Sequence, residues 1–380
     1  MSVSVISVQT NAASQSAARW KSHNDSLSTK RVNCFDPLKD ARWNDFVERR
    51  HDASVFHSTE WIEALSRTYG YRPIAYTTST SSERLENAIV FCRVESWLTG
   101  RRLVSLPFSD HCAPLAGSHD AAAIMSHVLE KEITREKWRY VELRPLAPLA
   151  IATGLNCTNV VYAFHELDLS PDIDTLFNNL HKNSIQRKIR RAERERVTYR
   201  EGSNKELLDQ FYRLFKLTRL RHRVPPQPRK WFSNLMAGFG SALKIRVAYQ
   251  GDRPIAAMIT LRHKETLTYK YGCSDSRYNN LGSMPMLYWK SIMDAKNEGL
   301  RRFDFGRTDA DQQGLITFKN RWGATPTFLT YARYGAAENS THFFDISTRK
   351  WQAQVGKYVM AHLPSSVVAR IGQMLYGHVG

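Results

Sequence analysis

The sequence lacks the patterns that would place it across a membrane, in a secretory pathway or around a metal ion. No uninterrupted apolar run is long enough to cross a bilayer, and the Ser/Ala-rich N-terminus lacks the basic-then-apolar order of a secretion signal. The five cysteines are scattered and no two have C-x-x-C spacing, so neither a disulfide framework nor a zinc site is indicated. We therefore expect a cytoplasmic chain with no metal and no bound cofactor.

Acidic residues are scarce relative to basic ones. The 380 residues include 54 Lys and Arg but only 36 Asp and Glu, which gives a formal net charge of +18. Such an excess attracts nucleic acid, anionic lipid headgroups or phosphorylated substrates, and it does not choose among them. A hydrophobic content of 42% supports folded cores, and the length favours two domains.

Several catalytic motifs are imitated without being complete. Residues 238–240 lack the third glycine of a dinucleotide-binding loop, and the Asp-Phe-Gly triplet at 304–306 lacks the other kinase motifs. Residues 109–111 are Ser, Asp and His, but adjacent residues cannot converge as nucleophile, orienter and base, and G-x-S-x-G is absent. Kinase, dinucleotide-dependent and serine-hydrolase chemistry are thereby disfavoured.

The same order of elements is predicted twice along the chain. Each half runs through helices, a strand meander, a helix and a strand, judged from apolar periodicity and turn residues. One long helix is predicted at 172–192, and an amphipathic helix at 348–375. We predict a flexible tail at 1–34, a first domain at 35–160, a second domain at 161–336 that carries the active site, and a C-terminal helical segment at 337–380.

A strand–loop–helix pattern occupies residues 269–298. A strand rich in tyrosine ends in a loop of small and polar residues, and a helix then begins with Pro285 in its first turn. The free N–H groups at such a helix start can hold a pyrophosphate or an oxyanion. Asn280, Gly282 and Ser283 are the candidate donor-binding residues, although an ordinary strand–turn–helix would give the same pattern.

A second pattern, at 301–324, presents a lysine between aromatic residues. A short strand at 301–305 carries Asp304, and a compact helix then carries Phe318 and Lys319. Lys319 is suited to hold a positive charge over a phosphate, a carboxylate or a developing oxyanion. Asp304 is suited to pair with a basic neighbour or to position an acceptor amine. A lone lysine beside aromatic residues is also typical of a surface side chain.

Basic residues cluster in two neighbouring runs, at 181–196 and 213–230. The second run has seven Lys and Arg residues and no acidic residue. Apolar residues at helical spacing give each run one face that can pack, so a solvated charged face is the simplest interpretation. Two adjacent runs favour a phosphate-rich ligand, and few aromatic residues are interleaved for stacking on single-stranded nucleic acid.

Taken together, these segments resemble the Fem-type family of GNAT-fold transferases, from about residue 35 to residue 334. The segments that carry the resemblance are 56–61, 69–71, 105–110, the basic helix 182–192, 271–272, 303–306 and 318–323. The resemblance implies tandem GNAT-like domains, each with a mixed, mainly antiparallel sheet flanked by helices. The best-known members move an amino acid from aminoacyl-tRNA to an amine of a peptidoglycan precursor, and others accompany bacterial exopolysaccharide and exosortase systems.

The resemblance also implies roles for individual residues. Lys319 would lie at the active site, Tyr271 would line the precursor channel, and Arg219 or Arg221 would contact precursor phosphate, with Phe318 and Arg307 as further substrate contacts. Two departures leave the donor open between acyl-CoA and aminoacyl-tRNA. No inserted helical arm is evident, and residues 280–284 lack the full glycine pattern for acyl-CoA pyrophosphate.

The resulting prediction is an N-acyltransferase of cell-wall or exopolysaccharide biosynthesis. Its acceptor would be a phosphorylated cell-envelope precursor or a peptide or sugar amine. Lys319 and backbone N–H groups would stabilise the oxyanion, while Asp304 or a water takes the amine proton. The alternative is a non-catalytic GNAT-like module that binds nucleic acid or anionic membrane through its basic helices. A third hypothesis docks the C-terminal helix, with Val355, Val359 and Leu363, on the inner face of the membrane.

Overall fold

The computed structural model describes residues 31–149, 151, 153, 155–335 and 375–378. Within them, twelve strands form one sheet. The strands are β1 (Asn33–Phe35), β2 (Arg72–Thr77), β3 (Ile89–Ser96), β4 (Gly100–Val104), β5 (Tyr140–Leu143), β6 (Asn156–Asp168), β7 (Thr198–Gly202), β8 (Leu243–Gln250), β9 (Arg253–His263), β10 (Thr266–Ser274), β11 (Arg302–Asp309) and β12 (Thr325–Gly335).

Residues 375–378 are helical, and the described residues up to 335 form nine α-helices. They are α1 (Arg42–Arg49), α2 (Thr59–Tyr69), α3 (Ser118–Val128), α4 (Ile173–Asn179), α5 (Arg187–Arg194), α6 (Lys205–Arg221), α7 (Arg229–Phe239), α8 (Ser283–Asn297) and α9 (Gln313–Asn320). Short 3₁₀ or π turns lie at Val55–His57, Leu129–Arg135, Lys182–Gln186, Gly240–Ala242 and Ser276–Leu281. None of these helices is long and apolar enough to cross a bilayer.

The order of strands in the sheet is β1-β2-β3-β4-β5-β12-β6-β11-β10-β9-β8-β7. Only β4–β5 and β10–β11 are parallel pairs, and every other neighbouring pair is antiparallel. Each half therefore has an antiparallel meander that ends in one parallel pair, and the helix between the two parallel strands is α3 in the first half and α8 in the second. This arrangement repeats the order of elements predicted from the sequence.

Three large apolar clusters hold the sheet and helices together. One packs α3 on the first half of the sheet, and a second packs α8 on the second half. The third lies where helices α1, α2, α6 and α7 meet the sheet, and it joins both halves through residues such as Trp61 and Trp231, whose rings are 5.2 Å apart. The candidate site described below borders this shared core.

The structure differs from two predicted elements. The predicted helix at 172–192 is divided into α4, the Lys182–Gln186 turn and α5. It breaks because Leu180 is extended and the N–H of His181 donates to the carbonyl of Arg321 at 2.9 Å, outside any helix. The strand predicted at 301–305 continues to Asp309, since β6 pairs with that part too. The predicted domain boundary between residues 160 and 161 falls inside β6 and stays a prediction. The helix predicted at 348–375 lies almost wholly outside the described residues.

Candidate active site

The site lies where the parallel strands β10 and β11 separate. They pair only through Thr266–Arg302, Leu267–Phe303 and Thr268–Asp304, and β10 has a bulge between Tyr269 and Tyr271. Beyond that point the facing backbone groups of the two strands no longer bond to each other, and a wedge-shaped gap opens. We call this gap the second-half notch. Unpaired backbone N–H groups at such a gap are available to a ligand.

Lys319 enters the notch from α9. Its side chain is 2% exposed, and its Nζ donates to the carbonyl of Gly306 at 2.7 Å and to that of Arg307 at 3.3 Å. Burial lowers the pKa of Lys319 to about 8, although Asp110 and Asp304 partly oppose the shift. Lys319 is therefore a buried amine and not the surface side chain that was the alternative interpretation.

A strained loop from the first half delivers Asp110 to the same place. Leu106 and Phe108, on either side of Pro107, have positive φ values of 41° and 63°. The loop is held because Arg144 donates to the carbonyls of Leu106 and Ser109 at 3.1 and 3.2 Å, and the Tyr331 hydroxyl donates to that of Asp110 at 2.6 Å. Such a conformation persists only where its surroundings impose it, which is common at functional sites.

Asp110 pairs with Lys270 of β10. The Lys270 Nζ is 2.7 Å from Asp110 Oδ2, and both side chains are largely buried. Burial alone would raise the pKa of Asp110, but Lys270, Arg307 and Lys319 together hold it below its usual value. Burial lowers the pKa of Lys270 despite its carboxylate partner. A Cβ on Gly306 would lie 3.2 Å from Asp110 Oδ2, so the absence of a side chain there leaves room for the carboxylate.

A second carboxylate, Asp304, lies at the last position of β11 that pairs with β10. Its Oδ1 accepts from the Gly306 N–H at 2.6 Å, and its Oδ2 is 3.3 Å from His111 Nε2. Asp304 is 2% exposed and His111 is 5% exposed. The other ring nitrogen of His111, Nδ1, is buried and has no hydrogen-bond partner among the described residues.

Aromatic side chains line the side of the site toward α6 and α7. We call Tyr69, Tyr71, Phe108, Trp231 and Tyr271 the aromatic cluster. The Tyr69 ring is 5.4 Å from Tyr71, 5.1 Å from Phe108 and 5.5 Å from Trp231, and the Trp231 Nε1 donates to the Tyr271 hydroxyl at 2.8 Å. Burial raises the pKa of the Tyr271 hydroxyl, so it stays neutral at physiological pH. The Lys270 Nζ lies 5.8 Å from the Tyr271 ring, which links the cluster to the charged residues.

Arg219 and Arg221, the two candidate phosphate contacts, point to different places. Arg219 donates to the Tyr376 hydroxyl and, at 3.4 Å, to the Pro225 carbonyl, and Tyr376 also contacts Phe108 of the aromatic cluster. Arg221 instead donates to the Ser274 carbonyl at 3.3 Å, at the end of β10. Arg219 thus lies beside the aromatic cluster and Arg221 beside the outer end of the notch.

The remaining predicted residues are divided between the notch and its surroundings. Arg307 lies at the notch with its guanidinium 4.1 Å from the Tyr162 ring. Phe318 packs toward the core instead, with its ring 5.7 Å from Tyr288 and 6.0 Å from Trp322. At the start of α8, Asn280 is exposed and Ser283 is buried, and a Cβ on Gly282 would lie 2.1 Å from the Lys188 carbonyl. The start of α8 is therefore covered by the basic helix α5.

We call Asp110, His111, Lys270, Asp304 and Lys319 the charged cluster. Three of them, Asp110, His111 and Lys270, were not predicted from the sequence as site residues. The sequence analysis rejected the Ser-Asp-His run as a hydrolase triad. The structure agrees, because the Ser109 hydroxyl donates to the Leu106 carbonyl at 2.7 Å, away from His111. Asp110 and His111 nevertheless reach separate partners in the second half. A lysine between two tyrosines in a buried strand was the available signal for Lys270.

The arrangement supplies the parts needed to transfer an acyl group to an amine. Two buried carboxylates are candidate proton acceptors, and Lys319 is a candidate charge for an oxyanion at the notch. No group of three or more His, Cys, Asp or Glu side chains suited to a metal ion occurs among the described residues.

Comparison with known proteins defines the fold. Residues 180–319, which end at Lys319, match the family described as Acetyltransferase (GNAT) domain. The mostly antiparallel sheet, its two similar halves and this match make the chain a tandem GNAT-fold protein.

Solved structures agree on this fold. FemX is similar with a TM-score of 0.60 and 13% identity, over 79% of this chain and 96% of FemX. The C-terminal domain (DUF2156) of a putative lysylphosphatidylglycerol synthetase from Agrobacterium fabrum is similar with a TM-score of 0.53 and 12% identity, over 82% of this chain and 96% of that one. A conserved protein of unknown function from Bacteroides thetaiotaomicron VPI-5482 gives a TM-score of 0.53 and 12% identity, over 80% and 99%. No curated protein matches in sequence.

Proposed function

We propose that the protein is an N-acyltransferase whose reaction takes place at the second-half notch. The observation that carries the proposal is Lys319, a buried lysine at the separation of β10 and β11 with two buried carboxylates close enough to act on its pKa. Buried charges of this density are costly to fold and are typical of functional sites.

In the proposed reaction the acceptor amine attacks the acyl carbon of the donor. A C–N bond forms and the C–S bond of a thioester, or the C–O bond of an aminoacyl ester, breaks. Charged Lys319 stabilises the oxyanion of the tetrahedral intermediate. Asp304, held by the Gly306 N–H and paired with His111, takes the amine proton, and the leaving sulfur or oxygen then takes a proton from the site.

Asp110 has a different part in the proposal. Lys270 keeps it ionised and in place, and it sits across Gly306 from Lys319. A fixed negative charge there favours the charged form of Lys319 and attracts a protonated amine before the amine loses its proton to Asp304.

The proposed donor is acyl-CoA or aminoacyl-tRNA, held with the help of Asn280, Gly282 and Ser283 at the start of α8. Both donors carry phosphates. The exposed basic residues Arg187, Lys188 and Arg190 lie on the helix that covers this start. Their positive charge supports binding of a donor phosphate in either case.

The proposed acceptor is a phosphorylated cell-envelope precursor, from peptidoglycan or exopolysaccharide synthesis, or another peptide or sugar amine. The Fem-type sequence segments support that class. The aromatic cluster with Arg219 at its border supports it as well, because stacking faces and a guanidinium suit a ring and a phosphate.

The proposed location is the cytoplasm, with docking at the inner face of the membrane. Trp97 and Leu98 form the tip of the β3–β4 hairpin and are 85% and 52% exposed. Exposed tryptophan is typical of protein segments at a membrane–water interface. Vesicles containing phosphatidylglycerol should sediment the protein, and Trp97→Ser should reduce this more than Phe328→Ser, which removes a 71% exposed ring from β12. Equal effects of the two changes would contradict this docking site.

The proposed activity is tested by mass spectrometry of amine acceptors incubated with acyl-CoA and with charged tRNA. Wild-type protein should form an amide with one donor class, and Lys319→Met should lower the rate by about 100- to 1,000-fold, the usual cost of removing one oxyanion-stabilising group. Absence of product with both donor classes, or a fully active Lys319→Met variant, would contradict the proposal.

The alternative function is a non-catalytic module that holds an anionic ligand by its basic helices. Exposed cations on α5 without a carboxylate partner among the described residues, such as Arg187 and Arg190, favour it. In that case Lys319→Met would leave binding of tRNA or vesicles unchanged, and Arg187→Ala with Arg190→Ala would abolish it. Transfer lost by Lys319→Met in protein that still binds would exclude it.

A further inference from the structure

A cavity of about 450 Å³ lies between the two halves, next to the second-half notch. Its inner end is formed by His111, Thr268 and Asp304, which are all buried. Two first-half loops give one wall of small and apolar residues, with Ala113, Pro114, Pro145, Leu146, Ala147 and Leu149 among them. Polar and charged residues line the rest of the cavity, with His51, Asp52, Glu166, His263, Lys264 and Arg302 among them. A volume of this size is within the range that proteins use for small ligands.

The inner end of the cavity coincides with the start of the notch. Thr268 and Asp304 line the cavity, and they are also the last residues that pair before β10 and β11 separate. A donor whose activated carbon reaches the notch therefore has its acyl group directed at the inner end of this cavity.

The inner end also has an unsatisfied polar atom. His111 lines the cavity while its Nδ1 is buried and has no hydrogen-bond partner among the described residues. Buried polar atoms are nearly always paired, so such an atom beside a cavity indicates a polar group of a ligand. The cavity thus suits a ligand that has a polar group at the inner end and an apolar part along the loop wall.

The acceptor has a separate approach. The aromatic cluster and Arg219 lie toward α6 and α7, and none of these residues lines the cavity. An acceptor that uses the aromatic cluster leaves the cavity to the other substrate.

We infer that this cavity holds the acyl group of the donor, and that the protein is built for acyl groups larger than acetyl. The inference rests on the proposed function. A polar atom at the carbonyl end of the acyl group pairs with His111, and the apolar remainder lies along the alanine and proline walls. An acetyl group, with its single methyl, would leave nearly the whole cavity unfilled.

Isothermal titration with CoA, acetyl-CoA, butyryl-CoA and octanoyl-CoA tests the inference, together with transfer rates from the same donors. Affinity should increase with chain length by about fourfold per buried methylene. Ala113→Phe, which fills part of the cavity from its loop wall, should remove this increase while leaving CoA binding unchanged. Ala147→Trp, in an exposed loop at the outer end, should affect only the longest chain and serves if Ala113→Phe does not fold. Ala237→Trp, on the exposed side of α7, is the matched control.

The outcomes separate this inference from the proposed function. Transfer with the same chain-length preference in wild type, Ala113→Phe and Ala147→Trp would overturn the acyl site and leave the transferase intact. A changed KM for the acceptor alone would also overturn it, because the cavity would then hold the acceptor. If no thioester binds, the comparison is made with alanyl- and leucyl-tRNA: loss of leucyl preference in Ala113→Phe supports the inference, and an unchanged preference overturns it. No transfer from any donor would contradict the proposed function.

Discussion

The two halves of the molecule place a carboxylate at the same register position and surround it differently. In the first half the parallel strands pair through Arg102–Tyr140, Leu103–Val141 and Val104–Glu142; in the second they pair through Thr266–Arg302, Leu267–Phe303 and Thr268–Asp304. Glu142 and Asp304 therefore both occupy the last paired position of the second strand. Two residues later the first half has Arg144 and the second half has Gly306.

The first-half notch is the corresponding place where β4 and β5 stop pairing, and Arg144 fills it. It pairs with Glu142 at 2.8 Å, and Arg333 of β12 pairs with the other oxygen of Glu142. Burial would raise the pKa of Glu142, but the two arginines lower it to about 2. Arg144 also binds the carbonyls of Leu106 and Ser109, so the loop after β4 is fixed over the first notch and extends to the second.

The second-half notch has no such side chain. Gly306 leaves space, and the partners of Asp304 are a backbone N–H and His111, whose Nε2 is 3.3 Å away, with Lys319 nearby. A fully paired carboxylate holds the fold together, whereas an incompletely paired one beside an open gap is available for chemistry. The first half also contributes to the second-half notch, because the loop after β4 carries Asp110 and His111.

Breaking the first-half ion pairs should have the largest effect on stability. Glu142→Gln leaves Arg144 and Arg333 buried without a full counter-charge, so the free energy of unfolding should fall by about 3–5 kcal/mol. Denaturant titration measures it. Glu95→Gln, which removes an exposed partner of Arg72, should cost less than about 1 kcal/mol. Similar losses in the two variants would mean that burial does not distinguish these pairs.

The pH dependence of acyl transfer should follow the protonation of Lys319 in the second-half notch. Because the pKa of Lys319 is lowered to about 8, transfer should decrease about tenfold per pH unit above 8 as the charged form is lost. The stability contribution of the same group should change in the opposite direction. The unfolded chain binds more protons between pH 8 and its ordinary pKa of 10.5, so this contribution rises over that range. In Lys319→Arg, which stays charged, the decrease should be absent; a decrease that persists there belongs to another group.

Adding a side chain at Gly306 should partly close the second-half notch. Gly306 has a φ of 69°, and a Cβ would lie 3.2 Å from Asp110 Oδ2, so Gly306→Ala should lower transfer roughly tenfold by displacing that carboxylate. Gly251, in the β8–β9 turn, has a φ of 57° and open space around its Cβ position. Gly251→Ala should have a similar backbone cost, of order 1 kcal/mol, with normal transfer. Equal transfer in both variants would show that the space beside Asp110 is not required.

The sequence predicted the repeated order of elements, and the fold of two GNAT-like halves is confirmed. It also predicted Lys319 as a site residue. It could not predict the charged cluster, because that cluster depends on a contact between halves that are far apart in the chain. Asp110 and Lys270 are 160 positions apart and meet only when β6 and β12 join the two half-sheets. Nor could local patterns show that Phe318 packs in the core while Lys319, its neighbour, faces the notch, or that helix 172–192 breaks at Leu180 to reach Arg321.

A paired measurement of Glu142→Gln and Asp304→Asn tests the central claim most directly. For each variant the free energy of unfolding and the rate of acyl transfer are measured under conditions in which the protein is folded. The two notches predict opposite outcomes: Glu142→Gln loses stability and keeps transfer within about threefold, and Asp304→Asn keeps stability within about 1 kcal/mol and loses transfer by about 100-fold or more. Loss of transfer in Glu142→Gln equal to that in Asp304→Asn, or an unaffected rate in Asp304→Asn, would contradict the assignment of chemistry to the second half.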